Sequence, residues 1–185
     1  MEVSGGYKLK RGDRAPPFTL RGIQGGRESW FELASFSGAK ALVVAFWCNH
    51  CPYVRAYEKR VVAWFEEARM HGVALVAINS NDEANYPEDA WPYMVERAKA
   101  HGYPFPYVRD ETQLVAREYG AQCTPQFLVF DSTFHLAYQG RFDDNKDHPD
   151  HVKVRYVPEA VEDLLAGRTP RHEASWAIGC SVKWG

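Results

Sequence analysis

"ALVVAFWCNHCPYVRAYEKRVVAWFEEA", residues 41–68, decides the fold. Its first seven residues are all apolar and rich in β-formers, as in a strand covered on both faces. From Pro52 the period changes. Val54, Tyr57, Val61, Phe65 and Ala68 recur at three- and four-residue steps, with Arg55, Glu58, Lys59 and Glu66 between them. That spacing is an amphipathic helix, with proline tolerated in its first turn and Gly72 placed to end it. The junction between strand and helix carries two cysteines, Cys48 and Cys51, with His50 between them.

Outward from this unit, strand and helix signals alternate. "VALVAINS" (73–80) is a second buried strand, followed by a polar stretch and a helix over roughly 88–101. "FPYVRD" (105–110) is a short strand, and "ETQLVAREYG" (111–120) a helix with Asp110 as candidate cap and Gly120 past its end. Toward the N-terminus, residues 1–15 read as a loose lead-in. "PPFTL" (16–20) and "SWFEL" (29–33) then form a hairpin around the turn-rich "RGIQGG". "QFLVFD" (126–131) and "HLAYQGRF" (135–142) make a second hairpin across "STF", and "PEAVEDLLAG" (158–167) is the last helix. The tail "TPRHEASWAIGCSVKW" reads as irregular. The expectation is one α/β domain over residues 1–185: a central mixed sheet flanked by helices, with an N-terminal β-hairpin and a helical insertion around 81–104. Residues 168–185 would dock on it as a tail.

Composition narrows the function. The 185 residues are 45% hydrophobic and 25% charged with a formal net charge of −2, which suits a globular chain and gives no reason to expect nucleic acid or an anionic membrane. "MEVSGGYKLKRGDRAPPF" lacks a signal-peptide apolar core, and no run approaches a membrane span, so the expected location is the cytoplasm. Four cysteines, Cys48, Cys51, Cys123 and Cys180, are too few for a disulfide-built secreted scaffold of this length. In a reducing compartment a CxxC points to redox or metal chemistry.

The physics of the junction favours redox. A helix N-terminus carries unsatisfied N–H groups and partial positive charge, so it stabilises a thiolate, the reactive form of cysteine. The expectation places Cys48 at that mouth as the attacking thiolate and Cys51 about one turn in as its resolving partner. His50 is expected to tune the pair by supplying a donor or positive charge beside Cys48.

"WCNHCP" (47–52) resembles the active site of the thioredoxin superfamily. "GDRAPPFTL" (12–20) is similar to the entry segment of its redoxin branch, which holds TlpA-like thiol-disulfide proteins and peroxiredoxins. "CTPQFLVFD" (123–131) resembles the superfamily's cis-proline segment. The resemblance covers about residues 10–167 and implies a thioredoxin-like fold. It also implies that Cys48 is the nucleophile, Cys51 the resolving thiol, and Trp47 with Thr124 and a cis Pro125 the substrate-binding surface. Two departures stand out. The export signal or anchor usual in TlpA-like proteins is not seen. The peroxiredoxin pattern also has threonine three residues, and proline seven, before the cysteine that matches Cys51, where this chain has Cys48 and Val44.

Weaker signals remain. Cys123, beside the cis proline, is a possible additional redox thiol or a buried small hydrophobe, and Cys180 an extra resolving thiol or a packing residue, packing being favoured for both. Asp82 in "NSND" (79–82) is a candidate proton-transfer acid, with capping the commoner role. "DDNKDHPDH" (143–151) reads as a solvated loop rather than a cation site. The leading expectation is a cytoplasmic thiol-disulfide oxidoreductase that exchanges electrons with a protein or small-molecule disulfide or dithiol. It would draw on an upstream thiol reductant and need no cofactor, metal, nucleic acid or membrane. A thiol peroxidase ranks second. A zinc or copper module at Cys48 and Cys51 ranks third, since no second CxxC completes a four-ligand site.

Overall fold

The computed structural model describes residues 6–185. Strand β3 (Ala41–Phe46) is buried at all six positions, as its unbroken apolar run requires. It lies between β4 (Val73–Asn79), to which it runs parallel, and β7 (Gln126–Asp131), to which it runs antiparallel. Parallel neighbours need a crossover, and α1 (Pro52–Ala68) supplies it. Gly72 turns the chain back at φ 82°, the left-handed geometry expected of a helix-ending glycine.

The remaining strands are β1 (Thr19–Gln24), β2 (Arg27–Glu32), β5 (Tyr107–Arg109) and β8 (Leu136–Gly140). They complete a seven-stranded mixed sheet in the order β2-β1-β5-β4-β3-β7-β8. Helices α2 (Trp91–Ala100), α3 (Leu114–Tyr119) and α4 (Tyr156–Leu165) finish the layers. Alternation along β3 divides the core. Ala41, Val43 and Ala45 join Val61, Phe65, Val157 and Val161 on one face, while Leu42, Val44 and Phe46 join Phe18, Val115 and Tyr119 on the other. A mixed sheet covered by helices is the expected architecture.

Four local readings change. The first hairpin turns only at Gly25–Gly26, with φ 57° and 77°, the positive φ at both positions that a type I′ hairpin turn needs. "RGIQ" therefore belongs to β1. Gly22 in that strand lets β1 sit tightly, since a Cβ there would meet Val108 at 2.6 Å and Phe31 at 2.8 Å. The lead-in, whose residues 1–5 lie outside the described residues, is fixed from Tyr7 onward. The Tyr7 hydroxyl donates to Ser175 O at 2.6 Å, and Gly12 N donates to Leu136 O at 2.8 Å. Helix α3 shrinks to six residues, with Asp110 capping it from a distance through Ala116 N at 2.9 Å.

The tail changes most. β6 (Cys123–Thr124) pairs antiparallel with β9 (Cys180–Ser181), so the last residues form a strand where irregular chain was expected. Sequence patterning missed it because a two-residue strand has no period to read.

Candidate active site

Pro52 begins α1, which makes Cys51 the N-cap and leaves Cys48 in the loop before it. Cys48 is 1% exposed and Cys51 0%. The Thr124–Pro125 peptide is cis, as the resemblance implied, and faces both cysteines. Cys48 Sγ lies 3.4 Å from Thr124 Oγ1, and Cys51 Sγ lies 3.3 Å from Thr124 O. The two CxxC cysteines, Thr124 and Pro125 are therefore brought together as expected.

The electrostatics differ from the expectation in one respect. Groups that favour a thiolate converge on Cys51 rather than Cys48. The Cys48 thiol, the Cys180 side chain and the Val54 and Cys180 amides lower Cys51 to about 4, against the opposing effect of burial. Cys48 is pushed well above the ordinary thiol range, first by sharing its proton with Cys51, then by burial and by the charge of Asp89. The main physical reason is the proton that Cys48 shares with Cys51; the helix start adds the Val54 amide, since the N-cap position belongs to Cys51, one turn later than the junction suggested.

His50 is also re-cast. Its Nδ1 lies 2.9 Å from Asp89 Oδ2 and 3.7 Å from Glu88 Oε1, and its ring stacks on Tyr86 at 6.1 Å. His50 Nδ1 thus faces two carboxylates. Asp89 is the acid of the site, and the sequence reading passed over it in favour of Asp82. Fully buried, it accepts hydrogen bonds from Asn49 N at 2.8 Å, Asn79 Nδ2 at 3.0 Å and Asn81 Nδ2 at 2.9 Å. Asp82 instead holds Ala84 N and Asn85, a turn-capping role. Nothing local marks Asp89; its link to the cysteines is the Asn49 amide within the CxxC, while the buried Asn79 and Asn81 at the end of β4 hold it in place.

Asn49 pins the CxxC loop through Tyr107 Oη at 2.7 Å and Glu88 O at 2.8 Å. Trp47, expected to border substrate, is 1% exposed. It packs edge-on against Phe127 and donates to the Tyr103 hydroxyl at 3.1 Å, and Tyr103 in turn bonds Glu58, which also holds Arg97. Its role is to support the loop from below. Cys123 packs with Ala177 and Tyr7, and burial pushes its thiol up to about 12. That environment fits the small-hydrophobe reading. Cys180 does not merely pack: its sulfur lies 2.6 Å from Cys51 Sγ.

Cys48, His50 and Asp89 also place three potential metal donors within 4.8 Å of one another among the described residues. Three amide donors already occupy the Asp89 carboxylate, and a structural zinc site needs four ligands. In the 143–151 loop, Asp143 binds Arg60 and Asn145 N, as a structural turn does.

Comparisons with known proteins bear on the fold and the family. An uncharacterised conserved protein from Geobacillus kaustophilus is 37% identical, covering 100% of this chain and 96% of its own, with a TM-score of 0.89. A hypothetical protein from Sinorhizobium meliloti is 35% identical over 100% of this chain and 97% of its own, with a TM-score of 0.87. A putative protein disulfide isomerase from Bacteroides thetaiotaomicron, at 16% identity, 89% and 95% coverage and a TM-score of 0.66, shows that the fold is thioredoxin-like. No curated protein matches the chain. The pattern of the AhpC/TSA family matches residues 11–140, from the entry segment through the CxxC and the cis proline to the end of β8. The chain belongs to the AhpC/TSA family.

Proposed function

We propose that the protein is a thiol-disulfide oxidoreductase that cycles between a Cys48–Cys51 disulfide and the dithiol. One observation carries the reading: both sulfurs lie within 3.4 Å of Thr124, at the cis Thr124–Pro125 bond and the start of α1. In the reduced protein Cys51 is the thiolate and Cys48 keeps the proton. An external disulfide is reduced when its mixed disulfide on Cys51 is attacked by Cys48. The Cys48–Cys51 bond forms, the bond from Cys51 to the substrate breaks, and the second substrate sulfur leaves as a thiolate that takes up the Cys48 proton. The reverse sequence oxidises a dithiol. The substrate is a protein or small-molecule disulfide, with a thiol reductant returning the pair to its reduced state.

A second reading is favoured by one observation. Cys51 occupies the position of the peroxidatic cysteine in peroxiredoxins and carries the depressed pKa. Peroxide would convert it to a sulfenic acid, and Cys48 would condense with that to the disulfide and water. Thiol loss of the reduced protein is to be followed with stoichiometric hydrogen peroxide and with oxidised glutathione, in wild type, Cys48→Ser and Cys51→Ser. The oxidoreductase reading expects the disulfide to react at least as fast, and both variants to be unable to close the pair. A peroxide reaction orders of magnitude faster sinks it in favour of the peroxidase.

A further inference from the structure

Cys48 and Cys51 are both buried, and the chain's own tail covers the Cys51 side of the pair. β9 lies antiparallel on β6, pairing Thr124 with Cys180 and Cys123 with Ser181, and so covers the backbone ledge beside the cis proline. Gly179 permits the approach, since a Cβ there would stand 2.2 Å from Thr124 O. Several bonds hold the strand in register. Lys183 N donates to Asn81 Oδ1 at 2.9 Å, Gln113 Nε2 to Lys183 O at 2.8 Å, and Val182 N to Gln122 O at 3.1 Å. Gln113 adopts φ 63°, a left-handed conformation costly for a side-chain residue, and its amide reaches both Ser80 O and the tail.

This strap carries a thiol to one place. Cys180 Sγ and Cys51 Sγ are 2.6 Å apart, inside normal contact and beyond the ~2.0 Å of a covalent bond. Cys180 is the one cysteine of the four that is not fully buried.

We infer that Cys180 is a third redox cysteine, the relay through which external disulfides exchange electrons with the buried Cys48–Cys51 pair. The inference rests on the proposed thiol-disulfide exchange and moves its entry point from Cys51 to Cys180, so that the disulfide Cys48 resolves on Cys51 is the one received from Cys180. Three exchanges make up the cycle. The Cys180 thiol, pushed up to about 11 by burial and by the neighbouring Cys51, attacks an external disulfide, forming a mixed disulfide and passing its proton to the thiolate that leaves. The Cys51 thiolate attacks the Cys180 sulfur, forming Cys51–Cys180 and releasing the second external thiolate. Cys48 attacks the Cys51 sulfur, closing Cys48–Cys51 and freeing Cys180 as a thiolate. The two external thiolates take up the protons lost by Cys180 and Cys48, and the negative charge that began on Cys51 ends on Cys180, so one disulfide becomes two thiols and no other oxidant or reductant enters. Placement of Cys180 by β9 makes the second step intramolecular, with the effective concentration that proximity confers.

The test uses the full-length reduced protein and oxidised glutathione, with timed acid quench, alkylation and non-reducing peptide mapping. Cys51→Ser is expected to accumulate glutathione on Cys180, and Cys48→Ser to accumulate a Cys51–Cys180 bridge. Cys180→Ser and Cys180→Ala, checked for wild-type circular dichroism, are expected to close Cys48–Cys51 about tenfold more slowly or worse. The relay is overturned if both Cys180 variants close the pair at the wild-type rate and Cys48→Ser carries glutathione on Cys51 with no bridge. That result leaves the exchange function standing. A wild-type protein that never forms Cys48–Cys51 with glutathione overturns both.

Discussion

Asp89 sets the character of the site more than the histidine between the cysteines. Buried beside Cys48, its charge adds to the forces that keep that thiol protonated, while Cys51 takes the anion. Replacing Asp89 with Asn removes the charge, so Cys48 should ionise at lower pH, which a thiolate absorbance titration in the Cys51→Ser background reads directly. The same change sets an amide against three N–H donors and should cost about 1–3 kcal/mol in denaturant unfolding. The pH dependence of the reduced protein follows from the same two thiols. Cys51 is depressed in the fold to about 4, so its thiolate contributes stability above the ordinary thiol range, and that contribution disappears as pH falls through about 4. Cys48 has the opposite sign: above the ordinary thiol range only the unfolded chain ionises it, and stability falls as pH rises there. Unfolding midpoints should fall further between the ordinary thiol range and about pH 4 in wild type than in Cys51→Ser. At this scale the sequence revealed the cysteines, through their spacing and junction, but not Asp89, whose hydrogen bond from Asn49 between them is made across forty residues of chain.

At the scale of elements, β9 turns a tail into part of the site. Its register depends on the bare backbone at Gly179, so Gly179→Val should lift the strap while leaving the seven-stranded sheet intact. Alkylation of Cys180 should then accelerate by about tenfold or more, with near-wild-type far-ultraviolet circular dichroism. An unchanged alkylation rate contradicts the strap. The long elements were legible in advance because each has a period: six buried positions in β3, and the three- and four-residue steps of α1. β6 and β9 have two residues each, and short strands defined by their partner leave no trace in local pattern. The turn at Gly25–Gly26 was readable in kind and misplaced in extent, since positive φ at two adjacent positions confines it to the glycines.

Across the whole molecule, the helix-covered sheet supplies the rigidity on which the small site depends. Phe65 of α1 packs edge-on against Phe105 at 5.9 Å on the face that also supports Trp47 and Cys48. Phe65→Ala should cost about 3–5 kcal/mol in denaturant unfolding and leave a cavity under the helix that presents Cys51. The fold was legible because strand and helix signals, the CxxC and the cis proline fell in one consistent order. The closure of the site by its own C-terminus was not, because long-range pairing is a property of the folded chain. The account's central claim is that Cys48 and Cys51 form one reversible two-electron couple. Equilibrating the protein in glutathione buffers of graded potential, then mapping disulfides by mass, tests it most directly. The expected result is a single two-electron transition between dithiol and Cys48–Cys51 disulfide, abolished in Cys48→Ser and Cys51→Ser. No Cys48–Cys51 bond at any glutathione potential, in protein whose Cys51 peroxide readily oxidises, would contradict it.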